Sequence, residues 1–126
     1  MNAVANRVLV VEDEEMIRDS VIEFLDDQGF EAFGASDGRE ALDKLTNGEQ
    51  LPCLILLDLM MPIMDGRAFR EKQLQNPALA EIPVVVFSAY QDVAATANEL
   101  GVADYLAKPV DLTRLLRIIR QSCLRR

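Results

Sequence analysis

Four consecutive acids follow a short apolar run near the start of this 126-residue sequence: after Val8–Val11 come Glu12, Asp13, Glu14 and Glu15. Carboxylates are strongly hydrated, and crowding them together costs free energy unless a positive group joins them. The acids therefore have two interpretations. They either begin a helix, whose dipole favours negative charge at this end, or they form part of a cation site.

Single polar residues end three other apolar segments in the same way. Asp58 ends CLILLD, Ser88 ends VVVFS, and Lys108 ends DYLAK before Pro109. Taken one at a time, Ser88 and Lys108 have ordinary explanations as a structural hydroxyl and a solvated surface lysine, and an acid after a strand is usually a helix cap. Asp58 is harder to explain in this way, because Leu59 and Met60 after it do not begin a polar loop. Whether they form one site depends on how the fold arranges the ends of these segments.

The absence of histidine narrows the possible chemistry. It excludes Ser-His and Cys-His nucleophile pairs, imidazole zinc sites and a phosphohistidine carried by this chain. The two cysteines, Cys53 and Cys123, are far apart and lack CxxC spacing, so we expect both to be reduced and used as small hydrophobic side chains. Chemistry must then rest on carboxylates, lysine and hydroxyls.

Continuous apolar runs predict strands that are buried on both faces. The three strong predictions are Val8–Val11, Leu54–Leu57 and Val84–Phe87, and the two weaker ones are Phe30–Ala35 and Ala103–Ala107. Helical periodicity and capping residues predict five helices: Glu14–Gln28, one capped by Asp37 with Glu40, one that starts at Asp65-Gly66 and ends before Pro77, Asp92–Leu100, and one capped by Asp111.

Regular alternation of strand and helix predicts an α/β fold, a doubly wound five-stranded parallel sheet in the order 2-1-3-4-5 with five helices. In such sheets ligands bind at the carboxyl ends of the strands, near the point where the strand order reverses. Strands one, three, four and five would deliver Glu12 and Asp13, Asp58, Ser88 and Lys108 to that edge. Polar groups at four strand ends favour a common site.

Three carboxylates without histidine or thiolate suit a hard cation that prefers oxygen ligands, and Mg²⁺ is the best candidate. With Mg²⁺ bound, one carboxylate can act as a nucleophile toward phosphorus and form an aspartyl phosphate. Lys108 and Ser88 are residue types that can neutralise and hydrogen-bond the phosphoryl oxygens. The acids after Val11 are thus interpreted as the metal-binding side of a phosphorylation site.

Composition limits the other possibilities. Thirteen basic and twenty-one acidic residues give a net charge of −8, which argues against direct binding to nucleic acid or to an anionic membrane. No signal peptide is indicated and no apolar run approaches the roughly 18 residues that a membrane span needs. We expect a cytoplasmic protein with one domain over residues 1–126, a core from about residue 7 to 124, and no output domain.

The segments VEDE, LILLDLMMPIMDG, VVVFSA and DYLAKP closely resemble the receiver domain of bacterial two-component response regulators, including single-domain chemotaxis regulators. The resemblance implies a flavodoxin-like receiver fold. It also implies a phosphorylation-activated signalling switch that is not an enzyme in the usual sense, because it catalyses only its own phosphorylation and dephosphorylation. The phosphoryl donor would be a histidine kinase or a histidine phosphotransfer protein.

The resemblance also assigns roles to individual residues. Asp58 would be the phosphoacceptor, and Asp13, Asp58 and the backbone carbonyl of Met60 would ligate Mg²⁺, with Glu12 acting mostly through water. Further expected roles are a switch hydroxyl at Ser88, a phosphoryl-oxygen partner at Lys108, a cis peptide bond before Pro109, an aromatic switch at Tyr105, a small residue at Ala89 and control of phosphoryl lifetime by Met60 and Tyr90.

The switch would change the face formed by helix four, strand five and helix five, to which a downstream protein of unknown identity binds. We expect a monomer or a weak phosphorylation-dependent dimer. Three alternatives stay open: a docking module that never uses its aspartate, an aspartate phosphatase, and a flavodoxin-like electron carrier. The phosphatase is disfavoured because Met60 stands where a haloacid-dehalogenase-type enzyme has a second aspartate. The carrier is disfavoured because clustered acids would repel a flavin phosphate.

Overall fold

Five strands and five helices alternate along the chain. The computed structural model describes residues 6–47, 50–88 and 93–123. In chain order the elements are β1 Arg7–Val11, α1 Glu15–Asp27, β2 Glu31–Ala35, α2 Gly38–Thr46, β3 Leu54–Asp58, α3 Gly66–Gln75, β4 Val84–Ser88, α4 Val93–Leu100, β5 Asp104–Ala107 and α5 Leu112–Ser122. The predicted strands and helices are confirmed. Ala89, Tyr90, Asp92 and Leu124 lie outside the described residues.

The five strands form one parallel sheet in the order β2-β1-β3-β4-β5, as the alternating pattern predicts. The central strands pair in register, with Val11 beside Leu57 and Asp58 beside Phe87. At the far edge Ser88 pairs with Ala107. Residues that follow β1, β3, β4 and β5 therefore reach the same edge of the sheet.

The core has two layers because successive strand residues point to opposite faces. One layer packs under α1 and α5 and includes Val8, Val10, Leu54, Leu56, Val85 and Phe87. The other packs under α2, α3 and α4 and includes Leu9, Val11, Ile55, Leu57, Val84 and Val86. Burial on both faces explains why the strands are continuously apolar rather than alternating.

Aspartate side chains cap the N-termini of three helices, at the positions that the sequence indicates. Asp37 accepts from the Glu40 amide at 2.9 Å, and Asp65 accepts from the Ala68 amide at 2.9 Å. Asp111 accepts from two amides at the start of α5. These bonds satisfy amide groups that have no partner within the helix, so the helix starts are determined locally.

The two cysteines form a disulfide bond, and the expectation that both are reduced is therefore wrong. Cys53 lies just before β3 and Cys123 just after α5, with Cα atoms 5.6 Å apart. Their spacing in the sequence does not indicate a pair. They meet because α5 packs on the sheet face that its apolar residues cover, which brings its end beside the beginning of β3.

No helix in the described part of the chain is both long and apolar enough to cross a bilayer. The longest, α1, has 13 residues, whereas a spanning helix needs about 20.

Candidate functional site

Three carboxylates meet at the carboxyl ends of β1 and β3. Oxygen atoms of Glu12, Asp13 and Asp58 all lie within 4.8 Å of one another. Glu12 is fully buried and Asp58 is 3% exposed, whereas Asp13 is exposed. The parallel pairing of β1 with β3 causes this meeting, because the two strands end at the same level.

Lys108 adds a positive charge to this cluster from the end of β5. Its Nζ donates to Glu12 Oε1 at 2.6 Å and to Asp58 Oδ2 at 3.4 Å. The backbone also ties this loop to the end of β4, since the Lys108 amide donates to the Ser88 carbonyl at 2.9 Å. We call Glu12, Asp13, Asp58 and Lys108 the acid site.

Backbone and side-chain contacts hold the first acidic loop in place. The Glu14 amide donates to Glu12 Oε2 at 2.9 Å, and Arg18 of α1 donates from Nη1 to the Glu12 carbonyl at 2.8 Å. The carboxylate of Glu12 therefore has partners at both oxygens, and its orientation is defined by the fold.

The loop after β3 depends on a glycine. A Cβ at Gly66 would lie 2.6 Å from the Asp58 carbonyl oxygen, which is closer than real Cβ atoms approach. The Gly66 amide donates to the Leu59 carbonyl at 3.1 Å. Only glycine lets α3 begin this close to the end of β3, and this approach keeps the Asp58 backbone at the sheet edge.

Lys108 neutralises the carboxylates of the acid site only in part. Burial raises the pKa of Glu12 to about 7, although hydrogen bonds from Lys108 and Glu14 act against it, and the Asp58 charge adds to the rise. Burial also raises the pKa of Asp58, which Lys108 only partly offsets and the Asp13 charge increases. A further cation near these oxygens would favour the ionised forms.

Lys108 itself stays protonated. Burial lowers the pKa of Lys108, but its hydrogen bond to Glu12 and the charge of Asp58 outweigh that effect, so the pKa lies above its ordinary value. The ammonium group is therefore a fixed positive charge between two acids, and the residual negative charge of the acid site falls on the carboxylates.

The donor set fits Mg²⁺. Carboxylate oxygens are its preferred protein ligands, and it keeps several waters while using few protein groups. An exposed Asp13 beside buried Glu12 and Asp58 leaves one open side for those waters. The raised pKa values of Glu12 and Asp58 point to the same need for added positive charge.

The other predicted residues surround this cluster. Ser88 is buried at the end of β4, and the peptide bond between Lys108 and Pro109 is cis. The Met60 amide donates to Asp58 Oδ1 at 3.3 Å, while its side chain is 65% exposed. Tyr105 is half-buried on β5. Their expected roles stay predictions.

Tyr105 has a neighbour on the last helix. The Arg114 guanidinium lies 5.7 Å from the centre of the Tyr105 ring, and it also pairs with Asp104 at 3.7 Å. The sequence indicates Arg114 only as one of three regularly spaced arginines on α5. Its contact with the aromatic ring requires the packing of α5 beside β5.

The sequence alone did not identify two residues that help to build the site, Arg18 and Gly66. Arg18 contacts a backbone carbonyl, and no motif of side-chain types signals such a contact. Gly66 was noted only as part of a helix start, although its lack of a side chain is what allows the close approach to Asp58. The DG pair was the available signal, since glycine after a helix-capping aspartate often marks a tight approach.

Comparisons with known proteins identify the family. Residues 8–120 match the family model described as the response regulator receiver domain. The chain is 37% identical to the transcriptional regulatory protein CrdR of Helicobacter pylori over 86% of this chain and 51% of that protein. It is 34% identical to an uncharacterized 14.6 kDa protein of Leptolyngbya boryana over 93% of this chain and 89% of that protein.

Solved structures agree with this result. A response regulator receiver protein from Pseudomonas putida has a TM-score of 0.83 and 30% identity, covering 94% of this chain and 98% of that chain. The chemotaxis protein CheY4 of Vibrio cholerae has a TM-score of 0.81 and 27% identity, covering 97% and 99%. The chain therefore belongs to the response regulator receiver domain family, with the flavodoxin-like receiver fold.

The family defines the class of function. Receiver domains are signalling modules of two-component systems that are controlled by phosphorylation, and they bind Mg²⁺ at an acidic pocket. Glu12, Asp13 and Asp58 form an acidic cluster in this chain. The chain spans about half the length of several curated relatives that it matches, such as CrdR.

Proposed function

We propose that this receiver domain accepts a phosphoryl group on Asp58 from the phosphohistidine of a histidine kinase or phosphotransfer protein, in the presence of Mg²⁺. The observation that supports this most is the position of the Asp58 carboxylate, which lies between the Lys108 ammonium at 3.4 Å and the carboxylates of Glu12 and Asp13 within 4.8 Å. A nucleophile and the groups that bind a metal thus share one edge of the sheet.

Four residues would hold the metal. Asp13, Asp58 and the backbone carbonyl of Met60 would ligate Mg²⁺ directly, and Glu12 would act mostly through a bound water. When bound, Mg²⁺ supplies positive charge that offsets the carboxylates and the incoming phosphoryl oxygens. The oxygen-rich donor set and the raised pKa of Glu12 support this assignment.

The chain's own residues would carry out the transfer as follows. An Asp58 carboxylate oxygen forms a bond to phosphorus while the phosphorus–nitrogen bond of the donor breaks, and the electron pair of that bond returns to the donor imidazole. Lys108 pairs with one phosphoryl oxygen, and the Ser88 hydroxyl donates to another. Burial of Asp58 limits access of water to the product.

The donor must be another protein, because this chain has no histidine. An apolar groove beside the acid site could receive it. The groove is lined by Met16 and Ile17 of α1 and by Pro109, Val110 and Leu112 after β5, and it includes Lys108. Met16 is 83% exposed, so the groove offers apolar surface to a partner at the place where the phosphohistidine must enter.

Phosphorylation would act on the rest of the domain through Ser88 and Tyr105. The phosphoryl group adds about −1.5 to −2 charges beside existing acids, so Ser88 and Lys108 must move to satisfy its oxygens. Tyr105 would then move inward and alter its contact with Arg114, which lies 5.7 Å from the ring. This couples the acid site to the face formed by α4, β5 and α5, where a downstream protein would bind.

The remaining expectations follow from charge. We place the protein in the cytoplasm, with protein partners rather than nucleic acid or membrane lipids. The net charge of −8 supports this choice, because it repels anionic surfaces. A monomer, or a weak dimer formed on phosphorylation, is the expected state.

Incubation with acetyl phosphate and Mg²⁺, followed by intact-mass spectrometry, tests the proposal. The native chain should gain the mass of one phosphoryl group, and Asp58→Asn should gain none. Asp19→Asn, which removes an exposed acid of α1, should behave like the native chain. Phosphorylation at another residue would overturn the assignment to Asp58.

Two other results would favour the competing functions. Absence of any mass gain in the native chain with Mg²⁺, despite intact folding, would indicate a docking module that works without phosphorylation. Release of many phosphates per chain from a phosphomonoester, which does not phosphorylate a receiver domain, would indicate a phosphatase. In a separate assay, Met16→Glu should slow transfer from a phosphohistidine protein while leaving acetyl phosphate labelling unchanged, because only the protein donor uses the groove.

A further inference from the structure

The disulfide bond joins β3, which carries the proposed phosphoacceptor, to α5, which forms part of the proposed output face. Cys53 immediately precedes β3, whose last residue is Asp58, and Cys123 immediately follows α5. The bond closes a loop with a sequence separation of 70 residues. It therefore links the far end of the acceptor strand to the far end of the last helix.

The bond also accounts for much of the attachment at that end of α5. In the last described turn Arg120, Gln121 and Ser122 are exposed. Ile118 and Ile119 precede these residues and are buried, Cys123 after them is buried too, and the Cys123 amide donates to the Ile119 carbonyl at 2.8 Å. Without the bond, the residues after Ile119 would be held mainly by backbone bonds, which fray at helix ends.

The opposite end of the same helix contacts the aromatic residue of β5. Arg114 lies over Tyr105 and pairs with Asp104. Loss of the attachment at Cys123 would therefore change the position of α5, and with it the contacts of Arg114. The face formed by α4, β5 and α5 includes both of these contacts.

We infer that Cys53 and Cys123 form a reversible redox site that fastens the end of α5 to the sheet. Its ligand class is a thiol reductant, either a dithiol or glutathione. In reduction the Sγ–Sγ bond breaks, two electrons pass from two reductant thiols to the two sulfurs, each cysteine sulfur gains a proton, and the reductant leaves as its own disulfide. Oxidation by a small disulfide reverses these steps.

The location of the pair explains how exchange can occur although both residues are buried. Cys53 is 7% and Cys123 is 3% exposed, so a thiol cannot reach the bond while α5 is intact. Opening of the last turn of α5 would carry Cys123 out of the core layer that buries it, and the preceding Arg120, Gln121 and Ser122 already face solvent. Exchange should therefore follow local opening at the helix end rather than global unfolding.

Thiol counting and thermal unfolding test the inference. Protein kept with oxidised glutathione and alkylated in denaturant should show no free thiol, and dithiothreitol should release two thiols from the folded chain. Reduction should lower the Tm by about 10 °C, because the closed loop is long. Return to oxidised glutathione should restore both values. Hydrogen exchange should become faster in the last turns of α5 on reduction.

Cys53→Ala provides the control. Its Tm should resemble that of the reduced protein and should not respond to dithiothreitol. Labelling by acetyl phosphate should proceed in both redox states, because the acid site lies at the opposite end of β3. The labelling measurement tests the phosphorylation proposal independently of the redox proposal, since either can fail while the other holds.

Three results would overturn the inference. Two alkylatable thiols after treatment with oxidised glutathione would show that the bond does not form. An equal Tm with and without the bond would show that it does not fasten α5. A bond that resists dithiothreitol until the chain is denatured would be a permanent structural link and not a reversible one. The native protein alone suffices for all three measurements.

Discussion

Two groups of buried polar side chains, one at the end of β3 and one on α3, differ in how well their charges are compensated. The acid site lies at the carboxyl end of the strand. The second group, Arg70 and Gln73 of α3, lies between α3, the end of α4 and the segment before β4, and we call it the α3–α4 network. Gln73 is fully buried and Arg70 is 8% exposed.

The α3–α4 network finds its partners within the chain. Arg70 donates to the carbonyls of Leu100 and Gly101, each at 3.0 Å, and to Gln73 Oε1 at 2.8 Å. Gln73 Nε2 donates to the carbonyls of Leu79 and Ile82 at 2.9 and 3.0 Å, respectively. These bonds cap the end of α4 and hold the turn before β4.

The acid site is also hydrogen-bonded, yet its charges are not balanced. The pKa of Glu12 rises to about 7 mainly because of burial, and the pKa of Asp58 is raised for the same first reason. The comparison distinguishes two uses of buried polarity. Polar groups whose hydrogen-bond partners all lie within the chain stabilise the fold, whereas carboxylates crowded together depend on added positive charge and mark a functional site.

The largest effect is expected from breaking the α3–α4 network. Gln73→Leu leaves the Ile82 carbonyl and an Arg70 donor without these partners, while the Leu79 carbonyl keeps its bond from the Ile82 amide. The change should lower the free energy of unfolding by about 4 kcal/mol. Urea denaturation measures it. Gln75→Leu, at an exposed position of the same helix, should change stability little. A loss below about 1 kcal/mol for Gln73→Leu would mean that water replaces the network without cost.

The pH dependence of stability should reveal the unbalanced charge of the acid site. In an unfolded chain Glu12 has the ordinary glutamate pKa of about 4.5, whereas burial in the folded chain raises this pKa to about 7. Between these values the folded state binds more protons, so raising the pH should lower the free energy of unfolding, by about 3 kcal/mol in total. Denaturation in EDTA from pH 4.5 to 8 measures this.

Glu12→Gln is the matched variant for that measurement, because it keeps the side-chain shape and removes the titration. The free energy of unfolding of this variant should fall much less between pH 4.5 and 7, with the raised pKa of Asp58 accounting for the remainder. An equal fall in the variant and the native chain would assign the pH dependence to other groups and weaken the contrast between the two regions.

Mg²⁺ should restore part of the unfolding free energy that is lost as the pH rises, because it binds the ionised carboxylates. At a Mg²⁺ concentration ten times the Kd, binding to the folded state should add about 1.4 kcal/mol to the free energy of unfolding. The gain should be larger at pH 8 than at pH 6, since Glu12 is mostly protonated at the lower pH. Thermal unfolding with Mg²⁺ and with EDTA measures it, and Asp13→Asn should abolish most of the gain.

The smallest effect is expected in the loop that connects the acid site to α3. Ile63 has φ 65°, its side chain is 79% exposed, and the next amide, of Met64, donates to the Pro62 carbonyl at 2.6 Å. A branched side chain in this left-handed conformation costs roughly 1–2 kcal/mol, and glycine avoids that cost but adds chain entropy. Ile63→Gly should therefore stabilise the fold by about 0.5 kcal/mol.

Ile63→Val keeps the branched Cβ and should leave stability unchanged in the same urea titration. A destabilised Ile63→Gly variant would show that the exposed side chain makes a contact that outweighs the backbone strain. Either result separates local strain in the loop from the charge imbalance of the neighbouring acid site.

Much of the fold could be predicted because its signals are local. The continuous apolar runs of β1, β3 and β4, the periodic stripe of α1 and the capping aspartates each act within a few residues, and the elements they predict are confirmed. The parallel order followed from the alternation of strand and helix. Since parallel strands end at one edge, the closeness of Glu12, Asp58 and Lys108 could also be expected before any coordinates.

Contacts with distant or backbone partners could not be predicted. Arg18 binds a carbonyl, Arg70 caps a helix that begins more than twenty positions later, and both residues look like ordinary surface cations in the sequence. The pairing of Cys53 with Cys123 was predicted wrongly because separation along the chain says nothing about distance across the sheet.

The sequence by itself determined the number, type and order of the elements and the residue types at the strand ends, because apolar periodicity and helix capping are short-range effects. The tertiary structure alone decided which of those side chains touch, how deeply Glu12 and Asp58 are buried, and hence how far their pKa values rise. Desolvation and charge–charge interaction depend on distances through space, and packing of the helices on the sheet sets those distances.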